Sequence, residues 1–150
     1  MNDVPNWMWD DDHSVFRDHV GYSPIAWRDG YVELALTLAD KHRNRSGIAH
    51  GGVICTLIDA AGGFAGCWCP HRDRIRRAST LSLNTQFVSP GRLGRKLVTT
   101  GRARAGGKSI FFATMEILDD DGKLVATGEG VYKYRPGSET TEGVPRDQAP

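Results

Sequence analysis

The stretch that most restricts what this 150-residue chain can become is "GGVICTLIDAAGGFAGCW", residues 51–68. It is the only long helix candidate, and between His50 and Pro70 there is no lysine, no arginine and one acid, Asp59. At helical spacing Val53, Leu57, Ala61, Phe64 and Trp68 share a side, and Ile54, Ile58 and Ala65 widen it. A helix that is apolar around most of its circumference has to be covered on most sides.

The cover follows in the sequence. "TLSLNTQFV" alternates polar and apolar residues at Leu81, Leu83, Thr85 and Phe87. "KLVTTGRARA", "SIFFATMEIL" and "KLVATGEGVYKY" come next, separated by the turn segments "SPGRLG", "GG" and "DDDG". Four strands in succession predict an antiparallel meander. Upstream, "IAWRDGYVELAL" reads as two strands joined at Asp29-Gly30, a hairpin dipeptide. "SVFRDHVG" reads as a short helix from Ser14 to Val20, started by serine and ended by glycine. "DKHRNRSGIAH" and "CPHRDRIRRAS" read as polar loops. The expected fold class is α+β: one antiparallel sheet curled around one long central helix. The length fits a single domain, residues 1–134. From Arg135 onward Val144 is the only large apolar residue, so 135–150 is expected to be a poorly ordered tail.

Composition narrows the function. Charged residues are 25% of the chain and the formal net charge is +1, which favours neither nucleic acid nor a membrane surface as partner. No apolar run reaches bilayer length. The acidic start, "MNDVPNWMWDDDHSVF", has no basic flank and does not read as a signal peptide. Cys55, Cys67 and Cys69 are odd in number, which fits a reduced, cytoplasmic setting.

Asp59 lies off the apolar stripe, and its neighbours at three and four residues are Cys55, Thr56, Gly62 and Gly63, all small. Such a face suits close approach by another backbone or by a ligand; a merely solvent-facing aspartate is the alternative. At the helix start, Gly51 and Gly52 leave first-turn N–H groups bare of side chains, at the positive end of the helix dipole. They could hold an oxyanion, or His50-Gly51-Gly52 could be a tight turn and nothing more. Eight residues separate Gly51 from Asp59, roughly 12 Å of helix rise. One small reacting group cannot touch both within one chain. If both serve one site, two helices from different chains must meet, and a twofold dimer would make two equal sites.

"NRSGIAHGGVICTLIDAA" resembles the signature of hotdog-fold acyl-CoA thioesterases of the PaaI / 4HBT type: an asparagine, a loop glycine, His-Gly-Gly and an acid nine residues after the histidine. These fall on Asn44, Gly47, His50-Gly51-Gly52 and Asp59, and "STLSLNTQFVSPGRLG" is similar to the family's next strand and turn. The resemblance extends to about Tyr134. It implies a hotdog fold, a homodimer whose sheets join edge to edge, often a homotetramer, and an active site shared between subunits. It implies Asp59 as general base or nucleophile and the Gly51 N–H as the group polarising the thioester carbonyl. It also implies Asn44 and His50 as positioning groups, and Thr80 as a hydroxyl that helps hold the attacking water. The substrate implied is an acyl- or aryl-CoA, and no metal or redox cofactor is called for. Gly52 is expected beside the substrate. Among the basic residues, Arg77, Arg104 and Lys108 are the candidates to meet the CoA phosphates; for each, a solvated surface charge is the alternative.

Two other patterns lead nowhere. Cys67, Cys69 and His71 lack the second half of a structural zinc site. "GGKS" at 106–109 lacks the glycine a phosphate-binding loop needs at 102, where Arg102 stands, and strand-like sequence follows it. Two further functions fit the sequence less well. A hydratase would use a catalytic histidine in a motif absent here. A non-catalytic acyl-CoA binder is disfavoured by Asp59.

Overall fold

The computed structural model describes residues 4–10 and 14–149. The chain begins with α1 (Asn6–Asp10) and α2 (Val15–Val20). Ser14 caps α2 by accepting a hydrogen bond from the Arg17 N–H, and Gly21 closes it in the left-handed region at φ 93°. β1 (Ser23–Arg28) and β2 (Tyr31–Thr37) form the expected hairpin, with Gly30 taking φ 72° at its turn. A 3₁₀ turn at Asp40–His42 and a loop lead into α3 (Gly51–Gly66), two residues shorter than the apolar pattern suggests. There follow β3 (Arg74–Ile75), β4 (Ala78–Phe87), β5 (Lys96–Arg104), β6 (Ile110–Asp119), β7 (Leu124–Tyr134) and β8 (Val144–Pro145).

The main sheet is antiparallel with order β1-β2-β5-β6-β7-β4. This corrects the simple meander: β5, β6 and β7 are consecutive hairpins, but β4 lies at the far edge, paired only with β7. "SPGRLG" is therefore a crossover and not a hairpin turn. It runs past the start of α3, where Ala49 N–H donates to Gly91 O at 2.8 Å and Ile48 bridges Arg92. The sheet wraps α3, which packs against β2, β4, β5, β6 and β7. Val32, Leu34, Leu97, Ile117 and Tyr132 meet Leu57, Ile58, Ala61 and Ala65 in one core, all nearly or fully buried. The buried stripe is centred on Ile54, Ile58, Ala61 and Ala65; Val53 and Phe64, central in the sequence pattern, are only partly buried.

The segment after Tyr134 is not left loose as its composition suggests. Val144–Pro145 pairs with Arg74–Ile75, and Ser138 is fully buried. Polar contacts do what apolar residues normally would. Arg76 donates to Ser138 O, Glu139 O and Trp68 O, Arg74 donates to Glu142 O and Gly143 O, and Ser138 Oγ accepts from the Arg77 N–H.

Candidate active site

Asp59 sits half-buried in the middle of α3, and Thr80 Oγ1 on β4 donates to its Oδ1 at 2.7 Å. A bulge aims Thr80. Thr80 pairs with Tyr132 and Ser82 with Val131, so Leu81 is an extra residue that flips the alternation of β4. On one side of the bulge Ala78 and Thr80 face the helix; on the other Leu83 and Thr85 do, while Leu81 is 54% exposed. The strict alternation read from the sequence breaks at this point. The Tyr132 hydroxyl donates to the Asp59 carbonyl at 3.3 Å. Burial first, and then the nearby Asp59 charge, push the Tyr132 phenol far above its ordinary range, so it stays a protonated donor. Asp59 has no ion-pair partner among the described residues.

A cavity of about 470 Å³ opens at this carboxylate. From α3 it takes Thr56, Asp59, Ala60, Gly63 and Phe64, and Cys67 joins them from the helix cap. Ala78, Thr80 and Tyr132 come from the strands, Phe16 and Tyr22 from the N-terminal segment, and Arg76, Arg77 and Arg135 complete the wall. Burial pushes the Cys67 thiol up to about 12, partly offset by Arg76, so Cys67 is a neutral, inert lining group.

The helix start is built by His50. Its Nδ1 accepts from the Gly52 N–H at 2.9 Å, acting as a side-chain cap, and its own N–H donates to His42 O at 2.8 Å. His42 is buried and bridges this loop to α2: Nδ1 accepts from the Ala39 N–H, and Nε2 donates to Val20 O at 2.7 Å. Val53 and Ile54 N–H groups both turn to His50 O. The Gly51 N–H is the first-turn donor that makes no hydrogen bond among the described residues. Gly52, expected beside the substrate, has already committed its N–H to the His50 ring. Asn44 shapes the preceding loop: its Oδ1 accepts from the Ser46 and Ile48 N–H groups at 2.9 and 3.2 Å.

The structure therefore brings Asp59, Thr80 and Arg77 to one cavity. Gly51, Gly52, His50 and Asn44 lie at the other end of the helix and do not line it. Arg104 and Lys108 do not either. Arg104 faces out from the opposite side of the sheet, where its Nε donates to Thr114 Oγ1 at 3.0 Å, and Lys108 is exposed between β5 and β6. Sequence reasoning missed Tyr132 and Arg135, because nothing local marks a tyrosine or a tail arginine as neighbours of a helix residue so far away in the chain.

A long helix wrapped by a six-stranded antiparallel sheet defines a hotdog fold, and residues 46–126 match the sequence profile of the thioesterase superfamily. That match covers more than half of the chain, which belongs to this superfamily. Acyl-coenzyme A thioesterase 13 of Mus musculus is 29% identical over 94 residues, 62% of this chain and 65% of that protein, so the match spans just under two thirds of that relative. Acyl-coenzyme A thioesterase PaaI of Escherichia coli is 25% identical over 139 residues, 89% of this chain and 96% of that one. The solved E. coli PaaI structure matches with TM-score 0.77 at 22% identity, covering 89% of this chain and 93% of that one. A Streptococcus mutans protein solved bound to acetyl CoA matches with TM-score 0.70 at 23% identity, covering 83% and 94%.

Proposed function

We propose that this chain is an acyl-CoA thioesterase that hydrolyses the thioester of an acyl- or aryl-CoA to the free acid and CoA. One observation carries the reading. The Asp59 carboxylate stands at a cavity, oriented by the Thr80 hydroxyl at 2.7 Å and without an ion-pair partner among the described residues. Such a carboxylate can take the proton of an attacking water, or attack the carbonyl itself and be released by water. Negative charge then builds on the carbonyl oxygen, and a preorganised N–H donor can stabilise it. The Gly51 N–H is that donor in our reading, presented by a second copy of the chain, because about 12 Å of helix separates it from Asp59 in the same copy. His50 and Asn44 hold the Gly51 loop in shape, and Arg77 is placed to meet an anionic part of the substrate. Arg104, Lys108 and Gly52 could reach substrate only across such an interface.

The minimum unit in this reading is a homodimer, and a homotetramer would pair two of them. All three cysteines are free thiols, which suits a reduced cytoplasmic compartment. Among the described residues no helix is long and apolar enough to cross a membrane.

The test is a hydrolysis screen over short, medium, long and aromatic acyl-CoAs, following release of free thiol. The protein should turn over at least one class, and Asp59→Asn should lower kcat at least about 100-fold while circular dichroism and the melting temperature stay close to wild type. Near wild-type turnover in the folded variant removes Asp59 from the chemistry.

A further inference from the structure

A glycine inside a helix is destabilising relative to alanine, and α3 carries Gly62, Gly63 and Gly66 within five residues. Two of the three have a packing reason. A Cβ at Gly62 would collide with the Tyr132 hydroxyl, and one at Gly66 with the Phe111 ring. Those two rings stack on each other with centroids 5.1 Å apart and are almost fully buried, so neither can step aside cheaply.

Gly63 has no such reason. A Cβ there would meet only Tyr132 ring carbons, at 3.8 and 4.0 Å, which is ordinary contact, and the residue is not among the glycines with positive φ. The fold would accept alanine at this position and gain helix stability from it. Yet Gly63 is half-buried and lines the Asp59 cavity, one helical turn past Asp59 and one turn before Cys67. The space its missing side chain leaves is cavity, not core.

The far end of that space is fixed and uncharged on the helix side. The Phe64 ring is held edge-on by Trp27 at 5.2 Å, and the Trp27 indole N–H donates to Phe64 O at 2.8 Å. Cys67 stands beyond it as a buried neutral thiol. The Arg76 guanidinium nearby is occupied by three backbone carbonyls of the fold itself.

We propose that Gly63 is a specificity-determining residue: its absent side chain is the passage through which the part of the acyl group beyond the thioester runs along α3, from Asp59 towards Phe64 and Cys67. Seven residues of helix rise, from Asp59 to the end of α3 at Gly66, give that passage a length of roughly 10 Å, enough for a medium-length apolar acyl chain. The proposal rests on the thioesterase reading above.

The test compares wild type, Gly63→Ala and Gly63→Leu on acetyl-, butyryl-, hexanoyl-, octanoyl- and decanoyl-CoA, with melting temperatures alongside. The ratio of kcat/KM for octanoyl-CoA to that for acetyl-CoA should fall at least tenfold in Gly63→Leu and by less in Gly63→Ala. Gly63→Ala should melt at or above the wild-type temperature. An unchanged ratio in Gly63→Leu, whether activity is kept or lost equally on all substrates, overturns the proposal. So does a wild type confined to acetyl-CoA, or a destabilised Gly63→Ala, which would give Gly63 a packing role. A wild type that hydrolyses none of these thioesters, nor any aromatic one, overturns the thioesterase reading itself.

Discussion

Asp59 and Thr80 show how much can depend on a single hydroxyl. The 2.7 Å bond from Thr80 Oγ1 engages one carboxylate oxygen, Oδ1, and leaves Oδ2 for a substrate or water. Hydrogen bonds to charged groups contribute roughly 1.5–3 kcal/mol. Thr80→Ala should therefore lower kcat about tenfold or more through loss of orientation, and Thr80→Ser should recover most of it. Steady-state kinetics of the two variants on the best acyl-CoA checks this, and equal activity in wild type and Thr80→Ala would leave the bond without a catalytic part. Asp59 could be singled out in the sequence because no other charge occurs on its helix. The direction of Thr80 could not, because the bulge at Leu81 breaks the two-residue period on which any reading of β4 depends.

Among the elements, the surprise is the last one. The segment after Tyr134 has the composition of a tail, yet it lies against β3 and Cys69, just past α3, and arginines hold it there. Arg76 is 6% exposed; it donates to three carbonyls and stacks over Tyr134 at 4.9 Å. Removing it takes that donor from one buried and two part-buried carbonyls. Arg76→Ala should destabilise the protein by about 2–3 kcal/mol and open the segment after Tyr134 to trypsin, for instance at Arg146. Urea unfolding and timed proteolysis with mass spectrometry measure both effects. If the segment stays resistant and the midpoint is unmoved, the arginine contacts are not what fastens it. Composition misleads here because it counts apolar side chains, while this segment is fastened through its own backbone oxygens.

At the scale of the whole molecule, Asp59 and the Gly51 N–H occupy different regions of one chain, so the proposed reaction needs two chains. A complementation experiment tests this directly. One chain carries Asp59→Asn and the other Gly51→Pro. Proline is at home at the first position of a helix, and His50 before it already has the extended conformation proline requires, φ −61° and ψ 138°. The substitution thus deletes the N–H while disturbing the turn little. Each homodimer should be nearly inactive. In the mixed dimer one site receives both defects and the other neither, so about half the sites should work by twofold symmetry. Purified heterodimers of folded chains that remain inactive would show that the two groups do not share a site.

The long apolar helix, the Asp29-Gly30 hairpin, the capped α2 and the strands of the sheet were all legible in the residues, because each is set by neighbours within a few positions: a period, a cap, a turn dipeptide. The place of β4 beside β7 was not, nor the crossover past the start of α3, the bulge that turns Thr80 inward, or the anchoring of 135–149 by Arg74 and Arg76. Each of these joins residues far apart in the chain, and many partners are equally acceptable to a strand edge or an arginine until the sheet has closed around the helix. The same division runs through the candidate site. Asp59 and the His50-Gly51-Gly52 turn announce themselves locally, whereas the Tyr132 hydroxyl, the commitment of the Gly52 N–H to His50, and the open space at Gly63 exist only once the helix lies in its sheet.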